Sequence, residues 1–278
     1  MPQAFQQQVI DEFRANGGRV GGPFEGARLI LLTTTGARSG ARHTTPLGYL
    51  PDGGERILVI ASAGGSPRHP AWYHNLVAQP RVTVEDGSFI YDAEATVLTG
   101  EERDRVFARA VEAEPGWAEY QTKAGRQLPV IALTELPADG PPNIAAKTFG
   151  EALRLVHDAF RRELALIRTE VAASGPGLGA QLRINCLTVC EGLHHHHVRE
   201  DTGMFPAIAQ QHPHMAPVME RLAEEHQKVA ALIAELQSVI SAEEPDRALV
   251  LAEVTRLIDE LEAHLAYEEQ QLIPLYEG

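Results

Sequence analysis

Hydrophobic positions follow two different rhythms along the 278-residue chain. Phe5, Val9, Ile10 and Phe13 recur at helical spacing, and Gly17 and Gly18 end that helix. Apolar, β-branched runs bounded by turn residues follow at 28–35, 44–50, 56–61, 81–85 and 89–97, with a last one at 130–136. The Pro-Asp-Gly-Gly at 51–54 has the composition of a hairpin turn, 70–79 reads as a short helix opened by proline, and 101–113 is amphipathic with helical period. Several strands with two or three helices predict an α+β domain around a small barrel. From about residue 144 the rhythm is helical only, over 145–173, 180–199, 215–241 and 245–270. Its breaks fall at 174–177, between Pro206 and Pro217, and at 243–245. Short links predict antiparallel neighbours in an all-α, up-down four-helix bundle.

The two rhythms meet at Pro137-Ala-Asp-Gly-Pro-Pro142, a proline- and glycine-rich hinge without periodicity. The expected organisation is a first domain at 1–137, a linker at 138–143 and a bundle at 144–278. Composition supports two globular domains: 44% of residues are hydrophobic and 22% charged. No run of about 18 apolar residues occurs, so no transmembrane segment is expected. The N-terminus lacks the basic-then-apolar layout of a secretory signal. The two cysteines, Cys186 and Cys190, cannot build a disulfide framework. Together these features point to the cytoplasm. The N-terminal helix from Phe5 to Phe13 is read as packing on the barrel, with a membrane contact as the alternative.

Charge separates the halves further. Residues 1–137 carry 13 basic and 16 acidic side chains, whereas the rest carries 11 basic and 22 acidic. An acidic second half argues against nucleic acid as a partner, because phosphate repels it. Carboxylates are also hard ligands for cations. Nine of the twelve histidines lie beyond residue 150.

Each long helical segment carries a histidine: His157, His196, His226 and His264. Two of them are followed four residues later by a carboxylate, Glu200 and Glu268. Residues four apart share a helix face, so each His-x-x-x-Glu pair aims an imidazole and a carboxylate at one point. One such pair alone is commonplace on a solvated helix; two pairs and two single histidines, one site per helix, are hard to assemble by chance. The donor mixture suits iron or manganese, and the carboxylates can bridge two ions. His197 is turned about 100° from His196 and could be an extra ligand. His212 and His214 read as loop residues without a metal role. Cys186, Cys190 and His194 share a helix face; a zinc thiolate site is conceivable there, but small core residues are the plainer reading.

These residues make the second half resemble the hemerythrin-like, HHE cation-binding family. The matching stretches are 157–164, 194–206, Glu225-His226, and 264–269 with Leu272-Ile-Pro274. The resemblance implies a non-haem di-iron site, two iron ions, that binds oxygen or related small molecules or senses iron or redox state. A manganese pair or a mixed pair is the alternative. Oxygen-carrying members draw two histidines from the third helix, four apart. Here Leu222 and Ala230 stand at those distances from His226, so one ligand is missing. Glu268 stands where such members have aspartate.

In the first half, Thr33-Thr-Thr-Gly-Ala-Arg-Ser-Gly40 follows an apolar run. Glycines, hydroxyls and the Arg38 guanidinium at a strand end suit a phosphate, with Arg42 and Arg68 able to add to it. A tight hairpin explains the same residues. Pro70-Ala-Trp-Tyr-His-Asn-Leu76 puts two aromatics and an amide at a helix start, where Trp72 and Tyr73 serve equally as core. With Thr45-Pro-Leu47, 60–65, Gln79-Pro-Arg-Val82 and Glu101-Glu-Arg103, these stretches resemble the deazaflavin-dependent nitroreductase family over about 5–136. That resemblance implies a split β-barrel of the flavin-reductase kind and coenzyme F420, with an FMN-like flavin as the alternative cofactor. It implies hydride delivery to quinones, nitro compounds or similar acceptors, and split barrels of this kind often form homodimers. Carried over by position, Arg38, Ser39, Gly40, Pro46, Gly64, Trp72 and Asn75 would line the cofactor. Tyr120 would be the catalytic aromatic, beside Trp117 in place of another. Ala63 and Gly48 depart from the lysine and aromatic usual at their positions, which touches the acceptor more than the cofactor.

The expected function is an F420-dependent oxidoreductase fused to a di-iron bundle. Its acceptor would be a quinone, a nitro compound, or oxygen, peroxide or nitric oxide at iron. The alternative is a bundle that senses iron or oxygen and regulates an independent F420-binding barrel.

Overall fold

The computed structural model describes residues 3–54, 56–138, 143–175 and 177–277. The linker expected at 138–143 falls mostly on 139–142, outside the described residues. Contacts divide the chain into one unit of Met1–Ala145 with Gly179–Gln181 and another of Ala146–Leu178 with Leu182–Gly278.

The first unit opens with helix α1 (Gln3–Ala15). Gly17 and Gly18, both at positive φ, end it, and the Gly18 N–H returns to the Phe13 carbonyl at 2.8 Å. Strands β1 (Leu29–Thr35), β2 (Arg42–Gly48), β3 (Leu50–Pro51), β4 (Arg56–Ile60), β5 (Arg81–Glu85), β6 (Ile90–Val97) and β7 (Val130–Glu135) form one antiparallel sheet. Its order is β2-β1-β5-β6-β7-β4-β3, curled into a half-barrel. Helices α2 (Ala71–Ala78), α3 (Gly100–Ala113) and α4 (Gly116–Ala124) complete it. The strands expected from sequence begin and end within about two residues of those found. Helix α4 did not show in the apolar pattern, because its nine residues bury Ala124 alone.

Alternation sorts β1 between two cores. Ile30 and Leu32 pack with Val59, Val84, Ile131 and the α2 residues Trp72 and Leu76. Leu29 and Leu31 face the other way, onto Val9, Ile10 and Phe13 of α1. The amphipathic face of α1 is thus spent on the sheet, and Arg14 anchors it through paired bonds to Glu85 at 2.8 and 2.6 Å. Among the described residues no helix is long and apolar enough to cross a membrane.

The second unit is the helical bundle: α5 (Phe149–Ala173), α6 (Ala180–Arg199), α7 (Phe205–Gln211), α8 (Ala216–Ile240) and α9 (Arg247–Glu277). Local chemistry sets the starts. The Thr148 hydroxyl caps α5 by accepting from Glu151 N–H, and Asp246 caps α9 by accepting from Ala248 and Leu249 N–H. Between α6 and α7 the chain does not break where Pro206 suggested. It runs on through a π-turn at Glu200–Met204, with the Phe205 N–H on the Glu200 carbonyl. Pro206 lies just beyond that turn, where its missing N–H costs little. The true break is at His212–Met215.

All four long helices contribute to one apolar core, with Ile167, Leu193, Val229, Leu236, Leu257 and Leu261 among its members. Cys186 and Cys190 belong to it, both fully buried, and burial pushes the Cys190 thiol up to about 12. They are core residues here, not thiolate ligands.

Candidate metal centre and cofactor cleft

At mid-bundle the apolar core gives way to a buried polar cluster. His157, His197, Glu200, His226, His264 and Glu268 are each 5% exposed or less. His196 on α6 is half-buried, with Phe160 against its ring. The six residues expected as ligands therefore all converge, and His197 joins them. Ring nitrogens and carboxylate oxygens fall into two groups whose members lie within 4.8 Å of one another. One group is His157, His196, Glu200 and Glu268; the other is His197, His226 and His264.

The two carboxylates span both groups. Glu200 places Oε1 3.2 Å from His196 Nε2 and Oε2 3.5 Å from His226 Nε2. Glu268 Oε2 lies 3.5 Å from His157 Nε2 and 3.7 Å from His264 Nε2. The π-turn starts at Glu200, a local widening of the helix of the kind often found at functional sites.

Outer carboxylates fix which ring nitrogen faces inward. Nδ1 of His157 donates to Glu269 at 2.9 Å, Nδ1 of His226 to Asp201 at 2.8 Å, and Nδ1 of His264 to Glu225 at 3.1 Å. Each leaves an Nε2 lone pair directed at the centre, the arrangement that orients and strengthens imidazole ligands. Arg161 in turn holds Glu269 at 2.8 Å, and Arg221 holds Glu225 at 2.9 Å. Burial lowers the pKa of all five histidines, that of His264 to about 4, so the rings are neutral at neutral pH. Burial raises Glu268 to about 8, and burial with the nearby Glu268 charge raises Glu200 well above the ordinary range.

Such a cluster fits cations. Nε2 of His157, His196 and His197, Oε2 of Glu200, and both oxygens of Glu268 are buried without a hydrogen-bond partner. Orphaned buried polar atoms are costly unless something binds them. Nitrogen and carboxylate donors together are the set for iron or manganese rather than for magnesium or calcium. His212 and His214 lie away from it, at the break after α7.

The first unit carries a cleft of about 1110 Å³ at the turn between β1 and β2. Arg38, Ser39, Trp72 and Asn75 line it, as expected from sequence, and so do Arg14 and Arg42. No aspartate or glutamate is among its described lining residues. The Gly36–Ala41 segment is both a tight hairpin and a cleft wall. The Gly36 N–H binds the Ala41 carbonyl at 2.7 Å, the Gly40 N–H binds the Gly36 carbonyl at 2.8 Å, and the Ser39 hydroxyl accepts from Ala41 N–H at 3.2 Å. A Cβ on Gly36 would crowd the Ser39 hydroxyl, so any larger residue there would force that side chain to turn away. Asn75 reaches across from α2: its amide donates to Thr34 Oγ1 and accepts from Ala37 N–H, both at 3.0 Å. It therefore clamps the turn as well as lining the cleft.

Four expected residues lie off the cleft lining, Gly40 among them, although it belongs to the turn that walls the cleft. Pro46 is buried on β2 opposite Leu31. The Gly64 carbonyl accepts from Lys123 of α4 at 3.2 Å. Tyr120 is 41% exposed on α4, edge-on to Trp117 at 6.0 Å. Gly64 and Tyr120 thus share the neighbourhood of α4. The contribution of α1, through Gln6, Gln7 and Arg14, was not expected. Only its amphipathic period showed in the sequence, and that reports the buried face, not the polar edge.

Comparison with known proteins agrees with both halves. A family model described as F420H(2)-dependent quinone reductase matches residues 6–135, and one described as hemerythrin HHE cation binding domain matches 148–276. A putative F420H(2)-dependent quinone reductase of Mycobacterium bovis is 36% identical over 126 residues, covering 44% of this chain and 84% of that protein. An F420H(2)-dependent quinone reductase of Mycobacterium tuberculosis matches at the same 36%, over the same shares of the two chains. A solved F420-H2 dependent reductase (FDR-A) is 45% identical, covering 38% of this chain and 93% of that one, at a TM-score of 0.35. The chain belongs to the F420H(2)-dependent quinone reductase family of deazaflavin-dependent oxidoreductases, and carries in addition a hemerythrin HHE cation binding domain.

Proposed function

We propose that the first unit binds reduced coenzyme F420 in the cleft at the β1–β2 turn and passes its hydride to a small acceptor of the quinone or nitro class, while the bundle holds two iron ions. When bound, the deazaflavin supplies a hydride and the iron pair supplies one-electron redox steps; the protein orients both. The observation that carries the first half is the charge of the cleft. Arg38 and Arg42 line it without a lining carboxylate, while Arg14 beside them is paired with Glu85, so the net positive lining suits an anionic cofactor. The turn at Gly36–Ala41, closed by its own backbone bonds and clamped by Asn75, holds the backbone that carries Arg38 in place at the cleft. Trp72, buried at 7% exposure, offers a flat wall. Tyr120, exposed beside Trp117, is the candidate to touch the acceptor.

In the bundle, His157, His196, His226 and His264 are the proposed terminal ligands, and Glu200 and Glu268 the proposed bridges. Their neutral rings and orphaned oxygens hold the pair; the outer carboxylates keep each Nε2 aimed inward. Were the bundle to hold two ferric ions, they could take up the two electrons of reduced F420, and an oxidant such as oxygen, peroxide or nitric oxide would be a second class of acceptor.

Anaerobic mixing of the full chain with reduced F420 tests both halves. Oxidised F420 should form in step with added menadione, and ferric absorption should bleach in the same mixture. No turnover with any quinone would sink the reductase reading. Turnover without bleaching would leave the iron pair as an independent sensing or binding module.

A further inference from the structure

The third long helix, α8, offers His226 alone, with Leu222 and Ala230 one turn to either side. His197 supplies what that helix lacks. It is 4% exposed, and its Nε2 is buried without a partner. Its ring stacks on His226 at 4.1 Å and 14°, and meets His264 edge-on at 5.3 Å and 84°. A ring nitrogen of each of these three lies within 4.8 Å of the others. Its chain neighbour goes elsewhere: His196 meets His157 edge-on at 5.4 Å and belongs to the other donor group. Consecutive residues on a helix point about 100° apart, so side by side they would serve different neighbours.

Resting on the reading of the bundle as an iron-pair site, we propose that His197 is a metal ligand, and that the two consecutive histidines of α6 serve different ions. His196 joins His157 on one ion. His197 joins His226 and His264 on the other, and Glu200 and Glu268 are shared. The pair is then unequal, two histidines against three. A core histidine would instead have its Nε2 satisfied or exposed, and this one is neither.

The test uses the full chain, purified with enriched iron, with iron per chain and Mössbauer spectra as readouts. The wild type should hold about two irons giving two quadrupole doublets. His197→Ala should fall towards one iron and lose the doublet of the three-histidine ion. Added imidazole should restore both, since it can occupy the space left by the ring. His197→Gln, which fills that space with a poorer ligand, should show the same loss without needing a cavity. His194→Ala, exposed on the same helix, should keep two irons. Wild-type iron content and unchanged doublets in both His197 variants would overturn the assignment. A wild type that takes up no iron pair would overturn the parent reading, and His197 with it.

Discussion

The Nε2 atoms of His226 and His264 face each other at 3.1 Å, although the Nδ1 of each already donates to a carboxylate, Asp201 and Glu225. Two neutral rings protonated on Nδ1 have only lone pairs to present there. They repel unless a proton or a cation lies between them. With the unpartnered oxygens of Glu200 and Glu268 alongside, the centre is a local concentration of electron pairs inside an apolar core.

Iron should therefore stabilise the bundle strongly. A ligand that binds only the folded state adds about 2.7 kcal/mol at a hundredfold excess over its Kd. Chelated protein should melt several degrees below the iron-loaded form, with the loss confined to the helical signal. Equal melting temperatures with and without chelator would argue against the centre.

Asp201→Asn should weaken iron binding by roughly 10–100-fold, because the amide cannot fix the His226 tautomer as a carboxylate does. Competition with a chelator of known affinity measures it. The fold should be unaffected, since Asp201 is exposed.

The metal-free protein should show a particular pH dependence. Glu268 is raised from 4.5 to about 8 by burial, so the folded state holds a proton there that the unfolded chain has lost. Its contribution to stability is complete below about 4.5 and is lost as pH rises towards 8. Glu268→Gln should remove the share of that decline due to Glu268 and leave that of Glu200, so metal-free wild type and variant diverge across this window in chemical denaturation. Parallel curves would count against it.

Asn75→Ala removes both bonds that clamp the β1–β2 turn, at about 1 kcal/mol each. F420 affinity, read by cofactor fluorescence, should fall about tenfold or more. Arg38→Ala should lower it by a similar factor, but with a weaker salt dependence than the wild type, because a charge contact is lost rather than a scaffold.

Much of this was legible in the sequence, and the exceptions have physical causes. The six proposed ligands were found because spacing on a helix translates directly into a shared face. The partition of Glu200 and Glu268 across both groups could not be read, since it depends on how helices are rotated against each other. Four of the seven expected cofactor residues line the cleft, Arg38, Ser39, Trp72 and Asn75, while Gly40 lies in its turn and Pro46 and Gly64 lie off it. Asn75's clamping role was hidden because its partners are Thr34 and Ala37, some forty residues away in sequence. Helix α4 was missed because a helix that buries almost nothing leaves no apolar stripe to read.

The π-turn at Glu200–Met204 acts as a register shifter. A regular α-helix would keep His196 and Phe205 in one fixed angular relation; the wider turn resets it. Upstream of it the helix delivers His196, His197 and Glu200, and downstream Phe205 lies flat on the His226 ring at 5.2 Å and 18°. Removing one residue from 200–204 would restore the ordinary winding with Phe205 still on its present side, because that one residue is what the wider turn absorbs. The loss of a single, chemically silent residue such as Gly203 would then spare the hydrophobic lid on His226, whereas the loss of one residue from a regular α-helical stretch turns everything after it by about 100°.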